Sequence, residues 1–414
     1  MNKKQIEEEV LKHVKPREVI DLARRLVRFD TTNPPGNELA CAKFLVQAMR
    51  RIGLDSYVQL VAPSRANAIG RSRPRRRGRT LLLDGHIDTA PIGETESRLW
   101  RVDPFAGRME KGRLIGKGIV DMKGGLTANV MAVKAVLESG LVLRGNIMIA
   151  ATADEEGYML GIKRLIHSGA VRDVDACIST EPFWGVQTTI GGRTWGKITV
   201  TGRATTSGVN PEFAFKVGIG NNAIHQAARL LYELTRCRPA QPHNRLFRES
   251  WWHVLRVDGG WDPRNAPMCP ETCEVTLEGR LVPGHSIESF WNEVRGIMSK
   301  LQREAPGFHA KLEVLERRPA YSTRENHPLV KAVSDSYKRV IGRPAERNPF
   351  HYPMNSTTDT NHLAANGIAC VSIGPVEPKK VLAEEMFVAN ESVSVSRIVD
   401  TTKIVALTIA KYIA

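Results

Sequence analysis

Leu81-Leu82-Leu83-Asp84-Gly85-His86-Ile87-Asp88-Thr89 decides how this chain is read. A short apolar run ends in a histidine and an aspartate, so a buried strand would carry an imidazole and a carboxylate out at its C-terminal end. That is where α/β sheets place their sites. The arrangement recurs further on. Asp121 precedes Gly124-Gly125 and an apolar helix over roughly 126–138. Residues 146–151 read as a strand running into Asp154-Glu155-Glu156, and 176–179 as another leading to Glu181-Pro182. A histidine among such carboxylates can hold a divalent metal, the imidazole favouring zinc, manganese, cobalt or iron over magnesium or calcium. A neighbouring carboxylate could then act as general base. Taken singly, each residue has a plainer explanation: a core histidine, a helix-capping Asp121, a solvated Glu155-Glu156 loop, a turn at Glu181.

The first half alternates helix and strand patterns, with amphipathic helices over 16–29 and 37–52 and a turn at Thr31-Thr32-Asn33-Pro34-Pro35-Gly36 between them. Such alternation implies an α/β fold with a mostly parallel sheet. Between about 187 and 316 the pattern changes. Strands at 196–201, 251–257, 274–281 and 309–315, with helices at 218–234 and 286–301, give the order βαββαβ of a ferredoxin-like α+β domain. The expected organisation is a metal-binding catalytic domain, 1–186 and 317–414, interrupted by an inserted domain, 187–316.

At 414 residues two domains are the natural expectation. Hydrophobic content of 42% and charged content of 25% are those of a globular protein. No apolar run reaches the roughly 18 to 20 residues of a membrane helix, and the charged N-terminus lacks an apolar signal core. Six scattered cysteines do not form a disulfide framework, so a reduced, cytoplasmic setting is expected. The net charge of +15 includes the arginine run between Arg71 and Arg79. Without aromatic interleaving or a nucleic-acid fold motif, the run reads as a solvated hairpin loop between two short strands, and no nucleic-acid or membrane partner is expected.

The chain resembles the metallopeptidase-like amidohydrolases that include acetylornithine deacetylase, succinyl-diaminopimelate desuccinylase, aminoacylase and glutamate carboxypeptidase. The resemblance rests on the Gly85–Pro91 and Gly116–Gly125 stretches, with Trp100, Pro104 and Phe105 between them, then Asp154-Glu155-Glu156-Gly157 and Glu181-Pro182 in order. It implies that His86 and Glu181 bind one metal, that Asp121 lies between two metal positions, and that Glu156 serves the second. Glu155 would be general base, and Asp88 would orient His86.

Two departures stand out. Phe387, in Met386-Phe387-Val388-Ala389-Asn390-Glu391, occupies the place of a late histidine ligand. Thr206, in Gly202-Arg203-Ala204-Thr205-Thr206-Ser207-Gly208, replaces the inserted-domain histidine that stabilises the developing oxyanion. The expectation is therefore one divalent transition metal per subunit, held by His86, Asp121 and Glu181, in a hydrolase of C–N bonds in a small, carboxylate-bearing molecule. Three alternatives stay open. One is a deaminase of an activated aromatic amine, like 5-nitroanthranilate aminohydrolase, with Phe387 walling a flat ring. Another is a conventional two-metal N-deacylase or dipeptidase, in which Glu384, Glu385, His351 or His362 replaces the absent ligand. The third is an inactive binding homologue. Arg280 and Asn265 are candidate substrate contacts, with Ser207 and Asn210 weaker ones, and the insert is expected to pair subunits into a homodimer or larger assembly.

Overall fold

The computed structural model describes residues 2–72, 78–240, 244–262, 267–351, 354–377, 386 and 388–414. They form two compact units. One comprises Met1–Thr189, Ser322–Phe350 and Thr358–Ala414, the other Ile190–Tyr321 and His351–Thr357. The divisions thus fall a few residues beyond 186 and 316, and the short 351–357 segment clusters with the second unit.

The first unit is built on a six-stranded sheet in the order Asp55–Ala62, Arg65–Arg71, Asn146–Thr152, Thr80–His86, Ala176–Ser179, Ala369–Ser372. The last four strands pair in parallel and the first two join antiparallel, which makes the sheet mixed. Every residue of Thr80–His86 is buried, as expected for a central strand covered on both faces. Helices Gly124–Glu138 and Val395–Ile413 pack together within the same apolar core. Gly125 lies so close to the strand end before Glu181 that an added Cβ would stand 2.0 Å from the Thr180 carbonyl oxygen. A glycine is required there for the helix to start against the sheet.

The expected hairpin around the arginine run is not formed. Arg65–Arg71 and Thr80–His86 both pair with Asn146–Thr152, which lies between them. The strand Asn-Ile-Met-Ile-Ala-Ala-Thr is buried along almost its whole length, and that apolar run belongs in the sheet interior. Arg71 pairs with Asp173 at 2.9 Å, and residues 73–77 lie outside the described ones.

The second unit carries a four-stranded antiparallel sheet in the order Trp251–Gly259, Thr272–Leu281, Gly192–Thr201, His309–Arg318. Helices Ala223–Arg236 and Ile287–Glu304 complete its core, centred on Phe290, Trp291 and Leu277. Trp291 Nε1 donates to Thr194 Oγ1 at 2.9 Å, satisfying the indole inside that core. The strand order and connections are those of the ferredoxin-like domain read from the sequence.

Candidate metal centre

Three polypeptide features converge on one point in the first unit. His86 ends a central strand, Glu181 follows the neighbouring parallel strand, and Asp121 lies in an irregular turn, Ile119–Lys123, that leads into helix Gly124–Glu138. Ligand atoms of His86, Asp121 and Glu181 all lie within 4.8 Å of one another, the single such group of His, Cys, Asp or Glu among the described residues. His86 Nε2 stands 3.1 Å from Asp121 Oδ1 and 4.0 Å from Glu155 Oε2.

The imidazole is fixed from behind. His86 Nδ1 lies 2.9 Å from the backbone carbonyl of Asp88, which can only accept, so Nδ1 carries a proton and Nε2 is the nitrogen left to face the carboxylates and to ligate an ion once its own proton is lost. The orienting group is thus the Asp88 carbonyl, while its side chain stands 3.6 Å from Nδ1 and has other work. Asp88 Oδ1 accepts the Glu155 amide at 3.0 Å. Oδ2 accepts the Glu156 amide at 3.2 Å and Asn33 Nδ2 at 2.9 Å. Burial raises the pKa of Asp88, but His86, Asn33 and the Glu155 amide more than offset it, so the carboxyl lies below its ordinary value.

The turn after the third strand explains how adjacent glutamates are aimed. Asp154 adopts a left-handed φ of 70°, a conformation that aspartate tolerates better than most residues. Its Oδ2 accepts the amides of Tyr158 and Leu160, and its Oδ1 receives Arg65 Nη1 at 2.7 Å and Asn33 Nδ2 at 2.9 Å. Asn33 therefore bridges Asp88 to Asp154. The sequence marked that stretch only as a turn, because both contacts span long separations that local pattern cannot show. Glu391 is another residue whose role was not foreseen. Its Oε1 accepts the Val120 amide at 2.8 Å, its Oε2 the Gly118 amide at 3.1 Å, and its carbonyl the Gly116 amide at 2.9 Å. It clamps the segment that delivers Asp121. Burial pushes its carboxyl up to about 7, Lys117 and the two amides pulling the other way.

The residues fit a cation. Glu181 Oε1 and Glu156 Oε1 are buried without a hydrogen-bond partner, which a native fold tolerates where an ion or water completes the set. Burial and then the Asp121 charge hold Glu181 well above the carboxylate range, and the same pair of causes pushes Glu156 up to about 8. Burial opposes charge on His86, yet Asp121, Asp88 and Glu181 outweigh it and raise its pKa well above the ordinary value. Burial first, and the crowding of carboxylates second, disfavour further negative charge here, a cost that a positive ion would relieve. Imidazole nitrogen with carboxylate oxygens suits zinc, manganese, cobalt or iron.

Residues 82–411 match the model of peptidase family M20/M25/M40. The chain belongs to that family. Among relatives of this M20/M25/M40 member, N-formyl-4-amino-5-aminomethyl-2-methylpyrimidine deformylase of Bacillus subtilis (strain 168) is 24% identical, over 94% of this chain and 93% of its own. Succinyl-diaminopimelate desuccinylase of Alkalilimnicola ehrlichii is 25% identical, over 87% and 91%. A dinuclear metal-binding peptidase of the family from Bacillus subtilis shares the fold, with a TM-score of 0.67 at 14% identity over 96% of this chain and 98% of that one. This M20/M25/M40 member is a metal-dependent amidohydrolase acting on C–N bonds.

The remaining candidates of this M20 chain fall in several places. Glu156 is outside the three-residue group, although Asp121 acts on it electrostatically. His362 lies on the short helix Thr360–Ala365, where it faces Asp359 electrostatically. His351 is exposed and belongs to the second unit. Within that unit Arg280 is engaged: Nη1 donates to the Asn355 carbonyl at 2.9 Å and Nη2 pairs with Glu278 at 3.2 Å. Thr206 is exposed, and its Oγ1 accepts the Gly208 amide at 3.3 Å. Ser207 is exposed beside it, and Asn210 caps helix Pro211–Lys216 by accepting the Phe213 amide. Asn265, Phe387, Glu384 and Glu385 lie outside the described residues. All six cysteines are free, and among the described residues no helix is long and apolar enough to cross a membrane.

Proposed function

We propose that this family member deacylates a small N-acyl compound at one divalent transition-metal ion, with Glu155 as the proton carrier. What carries the reading is the donor set of His86, Asp121 and Glu181 with Glu155 Oε2 4.0 Å from His86 Nε2. When bound, the ion supplies Lewis acidity and lowers the pKa of water from about 15.7 towards about 7. Glu155 Oε2 accepts the proton of the attacking water and returns it to the departing amide nitrogen, a contribution of roughly 10²- to 10⁴-fold. Asp88 holds the Glu155 and Glu156 amides, so the base is aimed by the same residue that fixes the imidazole tautomer. The relatives' names, a deformylase and a desuccinylase, support removal of a short acyl group. Arg280, which pairs with Glu278 at 3.2 Å, is the guanidinium we propose as a contact for a substrate carboxylate. We further propose pairing of subunits through the inserted unit, checked by sedimentation.

The deciding experiment is elemental analysis of folded protein after dialysis against a transition-metal mixture, with products identified in parallel. About one ion per chain and release of a carboxylic acid support the proposal. About two ions would overturn its single-ion form, and ammonia released from an aromatic amine would replace deacylation with deamination.

A further inference from the structure

We propose that Arg65 is a positioning residue for the reaction: through Asp154 its guanidinium fixes the turn that presents Glu155, and so sets turnover without holding the ion. The inference rests on the reading of Glu155 as proton carrier. Arg65 opens the strand Arg65–Arg71, and its fork faces two ways. Nε lies 3.1 and 3.0 Å from the two Glu38 carboxylate oxygens, and Nη2 donates to the same carboxylate. Nη1 donates to Asp154 Oδ1 at 2.7 Å. Glu38 is fully buried at the start of helix Glu38–Arg51, so the fork is anchored at its back. The guanidinium also lies against Gly36, where an added Cβ would stand 2.4 Å from Arg65 Cζ. Gly36 closes the turn that carries Asn33, its amide donating to the Thr32 carbonyl at 2.8 Å.

These constraints meet at Asp154. Oδ1 accepts from both Arg65 and Asn33, and Oδ2 from the Tyr158 and Leu160 amides. The Asp154 carbonyl accepts the Gly157 and Met159 amides at 3.3 and 2.6 Å. Asp154 thus buckles the whole turn, and Glu155 is the next residue. None of these contacts is made to His86, Asp121 or Glu181. A guanidinium can grip two carboxylates from opposite edges at once, which an ammonium on a flexible stem cannot reproduce. Lysine in place of Arg65 keeps the charge and loses the grip, and a catalytic group misplaced by about 1 Å can cost roughly 100-fold in rate.

The test compares full-length, zinc-loaded wild type and Arg65→Lys by amide hydrogen exchange and by turnover. The 153–160 segment of Arg65→Lys should exchange on the order of 10-fold faster, with strand Thr80–His86 unchanged, a readout that needs no substrate. With N-formyl, N-acetyl and N-succinyl amino acids as probes, kcat should fall about 10- to 100-fold while KM and ion content hold. Added to Glu155→Gln, Arg65→Lys should cause no further loss, because both act on one group. Exchange that quickens everywhere, a raised KM with lost ion, or losses that simply add would each overturn the proposal and leave Arg65 an ordinary stabilising residue. A deficient Glu155→Gln beside near-wild-type Arg65→Lys would remove this inference alone. Near-wild-type Glu155→Gln would remove the base reading and this inference with it. Should Arg65→Lys fail to fold, Glu38→Gln releases only the back of the fork and should show the same pattern at smaller amplitude. Unchanged exchange and turnover in that variant would likewise overturn the proposal.

Discussion

The two sides of the metal centre are built on opposite principles. On one side, Asp88 has both carboxylate oxygens and its carbonyl engaged, and Asn33, Asp154 and Arg65 extend that network away from the site. On the other, Glu181 and Glu156 each keep a buried oxygen without a partner. The satisfied side is a scaffold whose geometry exists before any ligand arrives. The unsatisfied side is high in energy by itself and is relieved by binding. Preorganisation and affinity are thus assigned to different residues, and they should separate under mutation.

The largest effect is expected on the open side. His86→Ala should lose both bound ion and turnover while the chain still folds. An active His86→Ala protein with no bound ion would remove His86 from the ligand set. Glu155→Gln should lower kcat by roughly 10²- to 10⁴-fold with ion content unchanged, because the amide keeps the shape of the base without its proton affinity. Near-wild-type turnover in the loaded variant would take the base role from Glu155. Asp88→Asn reaches the scaffold side and should weaken ion affinity about 10- to 100-fold, read by competition with a chromogenic chelator. If its affinity matched the wild type, the Asp88 side chain would have no part in preorganising the ion-binding residues.

The smallest effect concerns Glu391 and is a pH dependence. Its carboxyl stands at about 7 in the folded chain against 4.5 ordinarily, so between those values the folded state holds a proton that the unfolded state has released. That contribution is fully present below about 4.5 and is lost as pH rises through about 7. Glu391→Gln should flatten the fall in denaturation midpoint over that window, and an unchanged slope would remove Glu391 as its source.

His86 and Glu181 were legible in the sequence as candidate ligands because each ends or follows an apolar strand whose composition is visible locally: Leu81-Leu82-Leu83 before His86, and Ala176–Ser179 before Glu181. The inserted domain was equally legible from its alternating strands and amphipathic helices. What stayed hidden was long-range. No local pattern shows that Asn33 joins Asp88 to Asp154, or that Glu391 reaches back to Gly118 and Val120. The arginine run was misread as a hairpin for the same reason, since the strand that separates its two flanks comes much later in the chain. Sequence periodicity reports burial and face, whereas sheet order is a property of the whole fold.

The parallel pairing of Thr80–His86 with Ala176–Ser179 has a consequence for the life of the protein. His86 and Glu181 meet only after a long loop has closed and that ladder has formed, so the donor set has no counterpart in the unfolded chain. Any ion captured there stabilises the native state alone, and its binding free energy is added to the folding equilibrium. Depletion of the ion would accordingly shorten the lifetime of the polypeptide as well as silence it, and abundance would follow metal supply.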